Sequence, residues 1–505
     1  MSAKVYSGAT VGLDGVLVEI EADVLTKGLH QFNVVGLPDA AVKEARDRVS
    51  AAIKNTGFRP PHQSGRVTVN LAPADLPKGS SAYDLPMALA FLLATKQIAF
   101  SYAKRFFIGE LALDGRIRPV SSVLPLTLFA KSAGFEEICV PEANASEAAL
   151  VPGIRIIASP GLDSLVAHLD GRSVIAPTPE TTPRRSYSES ASDFAHIRGQ
   201  EHAKRALEIA AAGGHNILMV GPPGSGKTLL AKALPTILPS LTFEECLEVT
   251  QIFSVAGRLA RGEALVESRP FRAPHHTASG ISLIGGGTLP RPGEISLAHR
   301  GVLFLDEFAE FPRSLLESLR QPLEDGIVTV SRAKGTLTFP ARFMLVAAMN
   351  PCPCGHHGDP ERVCGCSAYQ IEKYRQKVSG PILDRIDLHI DVPRLSYDEL
   401  RDRPISETSE AVRNRVQAAR NRGRDRLSGT QKQSNSEMDN KLMEQYCALD
   451  ENGQALLRQA MEHYHLSPRA YTRILKTART IADLAASDAV SEMHLAEALQ
   501  YRFRD

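Results

Sequence analysis

The stretch HNILMVGPPGSGKTLLAKAL at 215–234 constrains this chain more than any other. Gly221 is followed, after four residues, by Gly226-Lys227-Thr228. An apolar run leads into the pattern and a helix-forming run leads out of it, which is the G-x-x-x-x-G-K-[ST] order set between a strand and a helix. The glycines Gly221, Gly224 and Gly226, spaced by Pro222, Pro223 and Ser225, let backbone N–H groups approach phosphates closely. The following helix N-terminus adds a partial positive charge. Lys227 is expected to reach the β- and γ-phosphates of ATP, Thr228 to ligate Mg²⁺, and Leu229 to continue the nucleotide-binding turn. From about 194 to 393, apolar strands alternate with amphipathic helices, so the fold class is α/β with a mostly parallel sheet.

Two further strand ends belong to the same chemistry. GVLFLDEF (301–308) is an apolar run that stops at Asp306 and Glu307. Two carboxylates at a buried strand end are costly to desolvate unless they are used. Asp306 is expected to hold Mg²⁺ through water, and Glu307 to polarise the attacking water. FMLVAAMN (343–350) ends in Asn350, at the sheet edge where ligands of open α/β sheets bind. Its amide is placed to orient the lytic water. Phosphoryl transfer also needs cations at the γ-phosphate, in cis or from a neighbour. The candidates are Arg385 in SGPILDRIDLHI and Arg469 in LSPRAYTRIL.

The remaining organisation follows from length and composition. A chain of 505 residues is too long for one core. Residues 1–170 mix strands (VTVNLAP, ICVPEAN, IRIIASP) with an apolar helix (LPMALAFLLATK), as in an α+β unit. The Pro-, Ser- and Thr-rich 171–193 reads as a linker. Residues 194–393 form the α/β core and 394–505 a largely helical C-terminal part, interrupted by the polar stretch 426–440. No apolar run is long enough to cross a membrane, and the N-terminus lacks a signal-peptide core, so the expected location is cytoplasmic. A net charge of +1 excludes a polycation. Nucleic-acid binding would have to come from local patches. One such patch is the run of nine arginines between 394 and 426, six of them in AVRNRVQAARNRGRDR. It reads as a solvated helix face or as a phosphate-binding face.

Taken in order, Phe194…Ile197-Arg198-Gly199-Gln200, GPPGSGKT, GVLFLDE, AMNPCPCG and SGPILDRIDL resemble the magnesium-chelatase-related AAA+ ATPases, and from about residue 3 to 503 the chain is similar to the ComM/YifB family. The resemblance implies an AAA+ module with a helical lid, assembled as a homo-hexamer. It implies an ATP-driven helicase that promotes branch migration of single-stranded and branched DNA during natural transformation, with recombination proteins as further partners. A chelatase-like ATPase that remodels a protein is the alternative. It places Ile197 and Gln200 near adenine, makes Asn350 a first sensor and Arg385 a finger reaching the adjacent subunit. Arg469 becomes a second sensor on the γ-phosphate, with Arg473 in reserve. The segment 275–301 resembles the clade's insertion, and 326–343 a hairpin turned to the central pore, with Arg332 and Lys334 facing DNA.

Residues 1–170 resemble the Lon-type protease fold. Ser81 falls at the nucleophile position, but Leu126 stands where the partner lysine is expected, and Lys131 lies on another helix face. A serine without a base in reach is not activated, so no protease activity is expected. The last feature is NPCPCGHHGDPERVCGC (350–366). Cys352, Cys354, Cys364 and Cys366 form two C-x-C pairs able to hold structural Zn²⁺ tetrahedrally, with His356 and His357 as substitute ligands. Free thiols and a redox switch are the other readings.

Overall fold

The computed structural model describes residues 2–25, 30–36, 40–74, 76, 81–181, 193–260, 262–287, 290–332, 335–359, 361–395, 401 and 407–502. The N-terminal part builds one seven-stranded mixed sheet from β1 (Ser2–Val11), β2 (Asp14–Leu25), β3 (Gln31–Val35), β4 (Arg66–Ala72), β5 (Arg105–Phe107), β6 (Glu137–Pro141) and β7 (Arg155–Ser159), in the order β3-β4-β2-β1-β5-β6-β7. VTVNLAP supplies β4, whose burial alternates along the strand as a pleat requires. The helix Asp84–Ala94 (DLPMALAFLLA) is apolar all round and is buried on nearly every residue, sharing one core with Ala40–Asn55. Helix Val123–Ser132 belongs to a second core that continues into the next unit through Cys246 and Leu265.

The second unit is a five-stranded parallel sheet of β8 (Ile217–Val220), β9 (Phe271–Arg272), β10 (Val302–Leu305), β13 (Met344–Met349) and β14 (Leu388–Asp391), in the order β9-β10-β13-β8-β14. All four pairings are parallel. Alternate residues of each strand serve opposite cores: Val346 and Ala348 face one, Leu345 and Ala347 the other. Every residue of β13 is buried, as expected of a central strand covered on both faces. Between β10 and β13 lies an antiparallel hairpin, β11 (Ile327–Arg332) with β12 (Gly335–Pro340). Val328, Val330 and Phe339 root it in the core. Arg332 lies on the described backbone, but its side chain and all of Lys334 fall outside the described residues.

The C-terminal helices Asn440–Tyr446, Glu451–His463, Pro468–Leu484 and Glu492–Gln500 pack onto the same core as helix Glu201–Gly213. The arginine-rich helix Ser409–Arg426 matches the readings of its sequence only in part. Arg415 and Arg422 are exposed, in keeping with a partly solvated face, but several of its cations are tied to the body of the fold. Arg420, 7% exposed, donates to the carbonyls of Ala211 and Ala212, at the C-terminal end of helix Glu201–Gly213. Cations at that helix end are favoured. Arg415 pairs with Glu208 and Glu407, Arg424 with Glu245, and Arg426 with Asp483. The polar stretch 426–440 is also fastened, since buried Asn435 donates to Thr480 and Asp483. Residues 182–192 of the 171–193 segment lie outside the described residues, and in the described part Thr178 and Thr181 bond back to Ile156 and Ala149 of the N-terminal part.

Candidate nucleotide site

The phosphate loop leaves β8 at Gly221, whose N–H donates to the Met349 carbonyl at 3.2 Å. A Cβ on Gly221 would lie 2.2 Å from the Val392 carbonyl oxygen, so only glycine fits beside β14. Lys227 opens helix Lys227–Ala233 and is 7% exposed. Its ammonium donates to the carbonyls of Gly221 (2.7 Å) and Pro222 (2.9 Å) and lies 3.4 Å from the Asn350 amide oxygen. Burial pushes its pKa down, with Asp306 opposing. A buried cation whose hydrogen bonds go to neutral oxygens favours an anion. The Ser225 hydroxyl of the same loop is buried with no partner among the described residues. The Thr228 hydroxyl donates to Asp306 at 2.7 Å. These two hard oxygen donors suit Mg²⁺. The loop thus fits a nucleotide phosphate with its metal.

Glu307 sits directly after Asp306 in the left-handed region (φ 52°) and donates its N–H to the Asp306 carboxylate at 2.9 Å. Strained backbone at such a position is characteristic of functional sites. Its carboxylate is 2.9 Å from His276 Nδ1. The sequence reading placed His276 inside the 275–301 segment and gave it no role. The cue available was two histidines shortly after a strand, β9, that pairs with the strand carrying Asp306.

The adenine candidates are less open than expected. Ile197 is 4% exposed in the core. Gln200, at φ 57°, spends its amide on the carbonyls of Pro393 (2.6 Å) and Ser225 (3.4 Å). It ties the entry of the α/β unit to its exit and to the phosphate loop. Leu229 is exposed.

Arg385 and Arg469 lie together, beside Glu324. Arg385 bonds that carboxylate directly and Arg469 lies 3.7 Å from it. Both line a cavity of about 500 Å³ between the α/β unit and the helical part, and none of residues 221–228 lines it. Arg469, expected as a second sensor on the γ-phosphate, lies beside the finger candidate Arg385. Arg473 is committed to Asp387 and to the Arg385 carbonyl. Burial alone would raise the Asp387 carboxyl, but Arg473 and His215 hold it well below the usual range.

The cysteine segment starts at Asn350 and folds over the phosphate loop. Cys352 is fully buried, and a Cβ on Gly355 (φ +82°) would stand 2.6 Å from Pro223. The four Sγ atoms all lie within 4.8 Å of one another. Three of the separations are 3.4, 3.7 and 3.6 Å. Tetrahedral thiolates with Zn–S near 2.3 Å are separated by about 3.8 Å, whereas a disulfide is near 2 Å. The donor set fits a metal ion. His356 turns instead to Asp359, 3.3 Å away.

At the serine of the first unit, the Ser81 hydroxyl donates to Glu110, which also faces Arg118 at 3.5 Å. Leu126 is 3% exposed and belongs to a different buried cluster from helix Asp84–Ala94, and Lys131 is exposed. No amine reaches Ser81 among the described residues.

Three family profiles match the chain in order: Subunit ChlI of Mg-chelatase at 20–144, Magnesium chelatase, subunit ChlI at 193–400, and Magnesium chelatase, subunit ChlI C-terminal at 406–502. Competence protein ComM of Haemophilus influenzae is 45% identical over 509 residues, covering 99% of this chain and 97% of the relative. YifB of Escherichia coli is 42% identical over 508 residues, with the same coverage. Magnesium-chelatase subunit ChlI of Guillardia theta is 25% identical over 246 residues, covering 44% of this chain and 63% of the relative.

Proposed function

Since this chain belongs to the ComM/YifB family of magnesium-chelatase-related AAA+ proteins, we propose that it is an ATP-hydrolysing ring motor that moves branched DNA during recombination of incoming DNA. The observation that carries the ATPase reading is the convergence of Lys227, Thr228, Asp306, Glu307 and Asn350 at one end of a parallel sheet. Lys227 binds the β- and γ-phosphates in place of its present carbonyl partners. Thr228 and Asp306 hold Mg²⁺, which neutralises phosphate charge. Asn350 orients water, and Glu307 polarises it once it leaves His276.

The ring supplies what a single subunit lacks. Arg385 and Arg469 line a cavity that no residue of 221–228 lines, and they are proposed to serve the next subunit's γ-phosphate. The preferred assembly is a hexamer. Support for DNA as the substrate comes from the end-to-end likeness to a competence protein, where the chelatase relative covers 44% of this chain. The 327–340 hairpin, with Arg332 and Lys334, is the proposed DNA contact. Zn²⁺ is the proposed occupant of the four thiolates, where it would stiffen the loop over Pro223. Peptide hydrolysis is no part of this function. A cytoplasmic location accords with the lack, among the described residues, of a helix long and apolar enough to cross a membrane.

The test is ATP turnover with and without single-stranded and branched DNA. Several-fold stimulation is expected. Turnover indifferent to both would overturn the DNA assignment and leave a protein-remodelling ATPase.

A further inference from the structure

Arg385 and Arg469 come from different parts of the chain and meet at one carboxylate. Arg385 lies on the turn after the short helix Gly380–Leu383, and Arg469 in the first turn of Pro468–Leu484. Both guanidinium groups face Glu324. Arg385 is 4% exposed. Its Nη1 is spent on the Pro381 carbonyl at 2.6 Å, while its Nε is buried without a partner among the described residues. Its backbone is pinned, because the Arg385 carbonyl accepts from Asn216 and Arg473, each at 2.9 Å. Glu324, by contrast, is 54% exposed. The geometry is that of a fixed, incompletely satisfied cation held by a carboxylate that is half exposed to solvent. An unmet N–H on a buried guanidinium makes a stronger acceptor group, such as a phosphate, a favourable replacement.

The chain position of Glu324 adds a mechanical consequence. Its helix, Arg320–Asp325, ends at Gly326 (φ 69°), and the next residue opens β11 of the hairpin. The Gly326 carbonyl accepts from the Ala341 N–H at 2.8 Å, which closes the base of the hairpin. A Cβ on Gly326 would meet the Arg342 side chain at 2.7 Å, so this left-handed, crowded joint requires glycine. The Glu324 helix and the base of the hairpin are thus joined through one hydrogen-bonded glycine.

We propose that Glu324 is a positioning residue that holds Arg385 and Arg469 back in the resting subunit and releases them to the neighbouring nucleotide when DNA displaces the 327–340 hairpin. This rests on the DNA-motor reading given above. It makes hydrolysis at one site depend on DNA engagement by the subunit next to it, through a single carboxylate.

The experiment compares ATP turnover of the wild-type chain and Glu324→Gln, each with and without single-stranded DNA. The DNA-free rate of the variant is expected to rise about fivefold, the scale of losing one partly exposed ion pair. Its ratio of stimulated to unstimulated turnover is expected to fall towards one. Adding Arg385→Ala to Glu324→Gln should abolish the gain in both conditions. A ratio equal to that of the wild type, or a parallel fall of both rates, as a purely structural role would give, overturns the proposal. If the wild-type rate ignores DNA, the DNA reading fails by itself. The hold on the arginines is then judged by the DNA-free rate of Glu324→Gln, where a rise supports it and no rise overturns it.

Discussion

Glu307 shows how much a single side chain depends on partners from elsewhere in the chain. It sits at φ 52°, and its carboxylate is engaged by His276 at 2.9 Å. An imidazole on the carboxylate competes with the water that the carboxylate has to polarise. Glu307→Gln is expected to lower kcat by about 10²-fold or more while the KM for ATP stays within about twofold, since the amide keeps the shape and loses the base. His276→Ala is expected to raise kcat about two- to threefold at unchanged KM, because the ring touches the base and not the phosphate loop. Steady-state kinetics on both variants decide this, and a kcat that falls in His276→Ala would remove the restraining role. Lys227 and Thr228 stood out because the spacing of the phosphate loop is itself a geometric requirement, and Asp306 because it ends an apolar strand. His276 and Glu324 were not, because each acquires its meaning from a contact with a residue far along the chain.

At the scale of elements, the cysteine loop and the arginine helix went opposite ways. The thiol spacing pointed to a metal clip, and the fold brings Cys352, Cys354, Cys364 and Cys366 to within tetrahedral reach. The arginine helix could not be resolved from sequence, because a charge run looks the same whether it faces water or carbonyl groups. Its acceptors, Ala211, Ala212, Glu208, Glu245 and Asp483, lie on other elements and appear only on folding. Four strands of the parallel sheet, by contrast, were readable as short apolar runs, whereas the two-residue β9, Phe271–Arg272, was too short to read. For the cysteine loop the expected result is about one zinc per chain in protein purified without chelator. Less than about 0.2 equivalents would count against the clip. The backbone at Gly355 lies so near Pro223 that a Cβ would not fit between them, so removing the metal is expected to lower Tm by several degrees and to raise the KM for ATP. A Tm shift with KM unchanged would make the clip a stabiliser only.

At the scale of the whole molecule, the two sheets and the C-terminal helices are joined by shared hydrophobic cores. Helix Phe243–Ala256 reaches the N-terminal part through Gln251, which donates to the carbonyl of Leu13 in the β1–β2 turn at 2.8 Å, and through Ser254, which donates to Glu147 of the short helix Ala145–Ala148 at 2.6 Å. The helical part is tied to the α/β core by His215 with Thr480 and by Arg473 with Asp387. The motif resemblance assigns Arg385 to the adjacent subunit but leaves open which subunit Arg469 serves, since that is a property of the face it occupies. Arg385 and Arg469 line a cavity that excludes residues 221–228. If each nucleotide site is completed by the adjacent copy, two inactive variants should rescue each other. A Lys227→Ala chain keeps its arginines and loses its phosphate loop; an Arg385→Ala chain does the reverse. In randomly mixed rings at equal ratio, an interface is functional only when an intact loop meets an intact arginine. That occurs at about a quarter of interfaces in a head-to-tail ring. Co-expressed chains are therefore expected to show roughly a quarter of wild-type turnover, where either variant alone shows almost none. Co-assembly without recovered turnover would mean that Arg385 serves its own subunit, and the shared-site architecture would have to be given up.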